Sequence, residues 1–209
     1  MSSGRTLASF GGIEAIGRRL FPYRGVIWGT MGGVVYLFAH PRPPLFRLGV
    51  FLILLGELLR LWACGYIKTY RGPMEEVEEL TTAGPYAYLR NPLYLANGCI
   101  GLGIVFLSGI LALIPLFLGV FAFLYGSIIR AEEAFLVERF GKVYKEYASS
   151  VPRFVPRLAP YPNRQGTFSF RVLLEREIIT IGTLALVMLL FYLRGFGVLR
   201  ILDRLFLRL

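Results

Sequence analysis

Read for apolar and polar positions, the chain is a series of apolar runs separated by polar, turn-rich passages. Residues 5–20 place Leu7, Phe10, Ile13, Ile16 and Leu20 at helical spacing, with Arg5, Arg18 and Arg19 among them. That pattern predicts an amphipathic helix lying at a membrane interface. From Gly25 to Ala39 no charge appears, and the run closes at His40-Pro41. It falls short of the roughly 20 residues of a typical span, and Tyr23 and His40 extend it at the interfaces. Leu45 to Ile67 is a second apolar segment, interrupted by Arg47, Glu57 and Arg60. Glu57 and Arg60 are three apart, hence neighbours on one helix face, either as part of a polar pocket or as a structural ion pair near the membrane boundary. Asn91 to Ile129 carries no formal charge and is long enough for two spans, with Ser108-Gly109 as the hairpin turn and Pro115 in the first turns of the returning helix. Arg130 to Tyr147 continues as an amphipathic helix with Leu136, Phe140, Tyr144 and Tyr147 on one stripe. Pro152, Pro156, Pro160 and Pro162 then forbid regular helix. After a basic linker, Ile178 to Leu193 is the last apolar segment, and Arg200, Arg204 and Arg208 line one side of a final amphipathic stretch.

Composition agrees with that pattern. Of 209 residues, 56% are hydrophobic, above the roughly 45–50% of soluble domains, so the expectation is an integral membrane protein with one membrane domain. The net charge of +10 comes from arginines that flank apolar segments, which points to membrane-surface anchoring in place of nucleic acid. Cys64 and Cys99 sit in apolar surroundings and argue neither a disulfide framework nor a metal site. No cleaved signal peptide is expected, and the terminal RLFLRL lacks a prenylation box. Counting positive charges puts residues 60–90 and 130–177 on the cytoplasmic side, with 41–47 and 108–110 outside. The arginine-rich C-terminus then falls outside if 178–193 spans. Either that segment is re-entrant or paired, or the tail is an interfacial helix.

The topology sets two polar stretches on one membrane face: 78–95, reading EELTTAGPYAYLRNPLYL, and 130–156. In the first, Gly84-Pro85 and Asn91-Pro92 fix the backbone, while Tyr86, Tyr88 and Tyr94 add amphipathic rings and Arg90 a forked cation. Glu75, Glu76, Glu78 and Glu79 form an acidic knot whose plain reading is a solvated loop face. In the second stretch, Glu132 and Glu133 stand where a helix leaves the membrane. Paired carboxylates there suit a ligand ammonium group, although the pair taken alone reads first as a solvated helix exit. Tyrosine faces can pack against a cationic sulfonium for about 0.5–2 kcal/mol. Gly98, Gly101 and Gly103 follow no strand, so they read as helix-packing residues and not as a dinucleotide loop.

GPYAYLRNPLY at 84–94, the charge-free hairpin after it, RAEEAFLVERFGKVYKEYASSVPRFVP at 130–156 and LLRLWACGYI at 58–67 resemble the integral membrane methyltransferases that include isoprenylcysteine carboxyl methyltransferase and the phospholipid methyltransferases. The resemblance covers about residues 45–157. It implies S-adenosylmethionine-dependent methyl transfer to a lipophilic or membrane-associated acceptor (carboxylate, thiol or amine), in a site open to both cytosol and lipid. Carried over by position, Leu80, Thr81 and Tyr86 line the cofactor pocket. Asn91, Pro92, Leu93 and Tyr94 match the family's Arg-His-Pro-x-Tyr element, and Glu132 and Glu133 its acidic pair. Asn91 stands where the family usually has histidine; an amide keeps hydrogen-bonding capacity but cannot act as a base near neutral pH. Arg130 is close to the place of the arginine that contacts substrate in the carboxyl methyltransferases. Arg130 or Arg153 would pair with an anionic acceptor; Arg153, between prolines, also reads as a membrane-surface cation.

The expected architecture is an all-α, polytopic membrane helix bundle with about five membrane segments and a cytoplasm-facing cofactor pocket. It divides into an N-terminal interfacial helix (1–24), a methyltransferase core (25–157), and a linker, last apolar segment and basic C-terminal helix (158–209). Expected partners are membrane lipid and a lipophilic or lipidated acceptor, with no nucleic acid. Two other classes compete. One is a sterol-reductase-like membrane enzyme using NADPH, against which stand the short chain and the repulsion of a phosphorylated dinucleotide by Glu132 and Glu133. The other is a non-catalytic membrane protein that kept the fold, for which Asn91 is the support.

Overall fold

The computed structural model describes residues 12–67, 77 and 79–197. The expected tail helix around Arg200–Arg208, most of the acidic knot and the first part of the N-terminal helix lie outside them. All regular structure among the described residues is helical: α1 (Gly12–Leu20), α2 (Arg24–Leu37), α3 (Pro43–Cys64), α4 (Pro92–Ser108), α5 (Leu113–Ser150) and α6 (Phe170–Phe196). Single 3₁₀ turns occupy Phe21–Tyr23 and Gly84–Ala87. Among the described residues two helices are long and apolar enough to cross a membrane, α5 and the Glu177–Phe196 part of α6, with α4 a shorter apolar helix beside them.

Small residues set the closest packing. α3 and α4 run antiparallel with their backbones nearly touching: a methyl group on Gly49 would lie 2.7 Å from the Gly103 carbonyl oxygen, and one on Gly56 2.8 Å from that of Ala96. Gly98 and Gly101, on another face of α4, receive the rings of Phe121 and Phe117 from α5. The helix-packing reading of these glycines is what the structure shows. α1 rests on α5 in the same way, with Gly17 buried against the Ser127 carbonyl, so it is clamped to the bundle along one side while Ile13 and Arg19 stay exposed.

α6 corrects two expectations. Its first residue is Phe170, so residues 170–177, read as linker from their charges, are helix. It runs the length of α3 in reverse. Ser169 N donates to the Gly65 carbonyl (2.7 Å) at one end, and Phe196 packs on Phe46 (ring centroids 5.3 Å) at the other. There Arg194 donates to the carbonyls of Ala39 and Leu37 (both 2.9 Å), groups that the last turn of α2 leaves without helical partners. Between these ends Glu177, fully buried, takes hydrogen bonds from Arg60 Nε (2.8 Å) and Nη2 (3.3 Å), while Arg60 Nη1 reaches Asn97 (2.8 Å). Arg60 thus has its short contacts with α6 and α4. Glu57 keeps the ion pair with Arg60 that its i,i+3 spacing offered, at the longer separation of 4.0 Å. Cys64 is not in purely apolar surroundings either, since its thiol lies 3.4 Å from Glu177.

Outside this interior, Phe51, Leu54 and Leu58 of α3, Leu116, Leu118 and Phe123 of α5, and Ile178, Ile179 and Leu186 of α6 are all exposed. So much outward apolar surface would be an aggregation hazard in water and suits a lipid surround.

Candidate functional site

The two polar stretches singled out in the sequence meet at one end of the bundle and are laced together through their backbones. Arg90 N donates to the Pro152 carbonyl (2.8 Å), Asn91 N to that of Arg153 (3.2 Å), Arg157 N to that of Tyr88 (3.0 Å) and Tyr161 N to that of Ala87 (2.9 Å). Thr82 and Ala83 bond Gln165 in the same fashion, and the Thr82 hydroxyl both accepts from Gln165 N (2.8 Å) and donates to the Asn163 carbonyl (2.9 Å). Prolines make this pattern available, because segments that cannot be helical must place their N–H and C=O groups elsewhere.

α5 supplies the third wall. Its kink at Gly141 (φ 53°, ψ −119°), a conformation open to glycine, redirects residues 142–150. Tyr144 and Tyr147 then join Leu80, Ala87, Val151 and Tyr161 in one buried cluster. The stripe Leu136, Phe140, Tyr144, Tyr147 read from the sequence packs here as a unit, and Tyr147 Oη donates to the Tyr86 carbonyl at 2.7 Å.

Between these walls and the helices lies a cavity of about 1310 Å³. Leu80, Thr81, Tyr86, Asn91, Pro92, Leu93, Tyr94, Glu132 and Glu133, nine of the residues chosen from the sequence, all line it. Arg130 and Arg153 are not in the lining. Arg130 is exposed, and Arg153 touches the site through Glu133 with its guanidinium and through Asn91 with its carbonyl.

The two adjacent glutamates do different things, because consecutive helical residues point about 100° apart. Glu132 accepts a short hydrogen bond from Tyr94 Oη (2.6 Å). Glu133 is held between two arginines: Arg153 Nε lies 3.1 Å from both carboxylate oxygens and Nη2 2.5 Å from one, while Arg90 Nη1 lies 3.2 Å from the other. Its carboxylate pushes the Arg153 guanidinium above its ordinary value through that hydrogen bond. Glu133 therefore ties α5 to both polar stretches at once, and among the described residues Glu132 is the carboxylate of the pair without an arginine in contact. Asn91 is buried, and its side-chain amide donates to the Arg153 carbonyl at 3.4 Å.

The cavity extends from this polar end into an apolar arm bounded by Trp28, Met31 and Val35 of α2, Ile100 and Ile104 of α4, and Phe117 of α5. The sequence reading missed the α2 wall, Arg24, Arg90 and Tyr144 as lining residues. The spacing 24, 28, 31, 35 is a helical stripe and was the available signal. Among the described residues no group of three or more His, Cys, Asp or Glu is placed to hold a metal ion.

A helical bundle with an outward apolar surface suits a membrane surround, and its interior cavity is polar at one end and apolar along its arm. Residues 45–143 match the phospholipid methyltransferase family, the stretch in which the sequence resemblance lies, and they contribute α3, the first polar stretch, α4 and α5 as far as the kink. Over 134 residues the chain is 37% identical to the cobalt-zinc-cadmium resistance protein CzcN of Cupriavidus metallidurans, covering 60% of this chain and 58% of that protein. It is 35% identical over 121 residues to the nickel-cobalt-cadmium resistance protein NccN of Alcaligenes xylosoxydans xylosoxydans, covering 55% of this chain and 51% of that one. It is 38% identical over 77 residues to the protein-S-isoprenylcysteine O-methyltransferase of Schizosaccharomyces pombe, covering 37% and 33%. The chain spans about half the length of the first two relatives. No solved structure matches it significantly.

Proposed function

We propose that the protein is a membrane methyltransferase that transfers a methyl group from S-adenosylmethionine to a lipophilic or membrane-associated acceptor. One observation carries this reading: the residues that resemble the family's cofactor-binding elements line a single cavity together with a long apolar arm. About 1310 Å³ exceeds the roughly 300–1,000 Å³ of pockets that hold one drug-sized ligand, which leaves room for two reactants.

The donor set fits the cofactor. Glu132, oriented by the Tyr94 hydroxyl, would take the ammonium of the methionyl group in a charge-assisted hydrogen bond. The rings of Tyr86 and Tyr144, both in the lining, offer π faces to a sulfonium. Leu80, Thr81 and Leu93 would bound the nucleoside. When bound, the cofactor supplies an electrophilic methyl carried on positively charged sulfur. The protein's part is to hold acceptor and donor in line and to exclude water, which needs no base when the acceptor is an anion. Asn91 in place of histidine is consistent with such chemistry, since its amide is engaged with the Arg153 carbonyl. Glu133, Arg90 and Arg153 would keep the two polar stretches closed over the site.

In the membrane, α2, α3, α4, the first half of α5 and α6 would make five segments, with the polar end toward the cytoplasm in accord with the arginines of residues 60–90 and 130–177, though against those of the C-terminal tail. α6 would then cross in full, and Arg194, which bonds the α2 carbonyls, would sit at the outer boundary. The names of two relatives connect them to metal resistance; on this reading any such role here would operate through a methylated product.

The test is incorporation of labelled methyl groups. Membranes containing the protein, given S-adenosylmethionine labelled in its methyl, should yield label in the organic-soluble or lipid-linked fraction, and the Glu132→Gln variant should yield less by about tenfold or more at sub-saturating cofactor. Equal labelling by the two proteins would refute the assignment.

A further inference from the structure

The wall of the cavity contributed by α1, α2 and the turn between them lies outside the family-matched segment, and it contains a cation placed for a ligand. Arg24 is the first residue of α2 and lines the cavity. Its guanidinium lies 3.7 Å over the Phe21 ring and donates to the Phe21 carbonyl. Phe21 in turn packs against the buried cluster of Tyr94, Leu124, Tyr125, Ile128 and Ile129. Pro22 stiffens the turn, and α1 is fixed on α5 by the backbone contact of Gly17 with Ser127. The cation is thus positioned from both sides. Among the described residues no carboxylate makes an ion pair with it; Glu132 is near enough for the charges to interact but spends its short hydrogen bond on Tyr94. No acidic residue occupies the first turn of α2, so the arginine also stands at the positive end of a helix dipole, an unfavourable place for a lone cation.

Below it the same face of α2 is apolar. Arg24, Trp28, Met31 and Val35 recur every three or four residues, and all four line the cavity. From 24 to 35 the stripe extends for about 16 Å at 1.5 Å per residue. A charged head followed by an apolar track of that length is the imprint of an amphiphile.

We propose that Arg24 binds the anionic head group of the acceptor, whose single apolar chain lies along Trp28, Met31 and Val35. The substrate class is a single-chain lipophilic anion with its charge at the end nearest Glu132 and Tyr94. The designation of this molecule as acceptor rests on the methyl-transfer reading; the anion site itself does not. A carboxylate could also come from the methionyl end of the cofactor, and the experiment separates the two sources.

Trp28 is a built-in reporter. The chain's other tryptophan, Trp62, is largely exposed and outside the cavity lining, and is replaced by phenylalanine. Quenching of Trp28 is titrated with 11-bromoundecanoate and with 11-bromoundecanol in detergent micelles at about pH 9, well above ordinary carboxylate values. Each titration is corrected for micelle partition. S-Adenosylhomocysteine binding is measured calorimetrically on the same samples. The expected result is a preference for the acid over the alcohol of about tenfold. It should fall to within about twofold in Arg24→Gln and survive in Arg24→Lys, with S-adenosylhomocysteine affinity unchanged in both variants, which also certifies their folding. Equal binding of acid and alcohol by the parent protein would overturn the proposal, as would a preference that persists in Arg24→Gln. Loss of S-adenosylhomocysteine affinity in Arg24→Gln with the acid preference intact would assign the residue to the donor and overturn it too. If the parent fails to bind S-adenosylhomocysteine while the Arg24-dependent preference remains, the methyl-transfer reading falls and the anion site stands.

Discussion

The two ends of the bundle are built on different principles. At one end the helices are joined by the shortest connections the geometry allows. His40 N bonds the Ser108 carbonyl at 2.7 Å, and Gly109 turns the α4–α5 hairpin at φ 75°, so close to the neighbouring turn that a Cβ there would lie 2.1 Å from the His40 carbonyl oxygen. The Ser108 hydroxyl and the Arg194 guanidinium there bond the carbonyls of Val105, Leu37 and Ala39, at and just beyond the ends of α4 and α2. At the other end, residues 79–91 and 151–169 form no long helix and spend their hydrogen bonds on each other. They also bring three charged side chains, Arg90, Glu133 and Arg153, into one contact. A chain that needed only connection would have repeated the first solution. The extra residues of the second end build the rim of a cavity, so perturbing the two ends should have separable consequences.

The largest effect is expected from Glu133→Ala. It removes the carboxylate shared by Arg90 and Arg153 and leaves a largely buried arginine without its partner, at a cost of about 3 kcal/mol after allowance for the half-exposed Arg153. Thermal unfolding in detergent should shift down, and cofactor affinity should fall with it as the two polar stretches part. Gly109→Ala, at the opposite end, should cost about 2 kcal/mol through the strained φ and the close approach to His40, with S-adenosylhomocysteine affinity unchanged in the protein that remains folded. Reduced affinity in that variant would erase the distinction between the ends. Glu132→Gln should show the complementary behaviour: unfolding close to the parent, and S-adenosylhomocysteine binding weaker by about 1.5–3 kcal/mol, the worth of a charge-assisted hydrogen bond. The smallest effect is assigned to Asn91→Leu, at about 1 kcal/mol in affinity, because Asn91 holds the Arg153 carbonyl and acts on the pocket through that loop. Calorimetry checks both values.

Much of this division was legible in the sequence. A charge-free run from Asn91 to Ile129 with Ser108-Gly109 at its middle is a helical hairpin by length and composition, and charge asymmetry was enough to bring the two polar stretches to one face. The nine lining residues followed from motif order. Three features were not legible for physical reasons. Glu177 stands beside charged Arg176 in sequence and therefore reads as solvated linker, although helix α6 turns it into the core to meet Arg60. Glu132 and Glu133 are neighbours in sequence, and only the direction of the α5 faces assigns one to the cavity and the other to the arginines. Arg24 begins an apolar run and looks like an interfacial anchor until Phe21 fixes it over the cavity.

The elaborated end is proposed to hold an adenosyl-methionyl cofactor, and competitive calorimetry on the solubilised parent protein decides whether it does. S-Adenosylhomocysteine should bind with one site per chain while NADPH shows no measurable heat, because Glu132, held by the Tyr94 hydroxyl, is placed for a ligand ammonium group that NADPH lacks. Saturable binding of NADPH with none of S-adenosylhomocysteine would contradict the account.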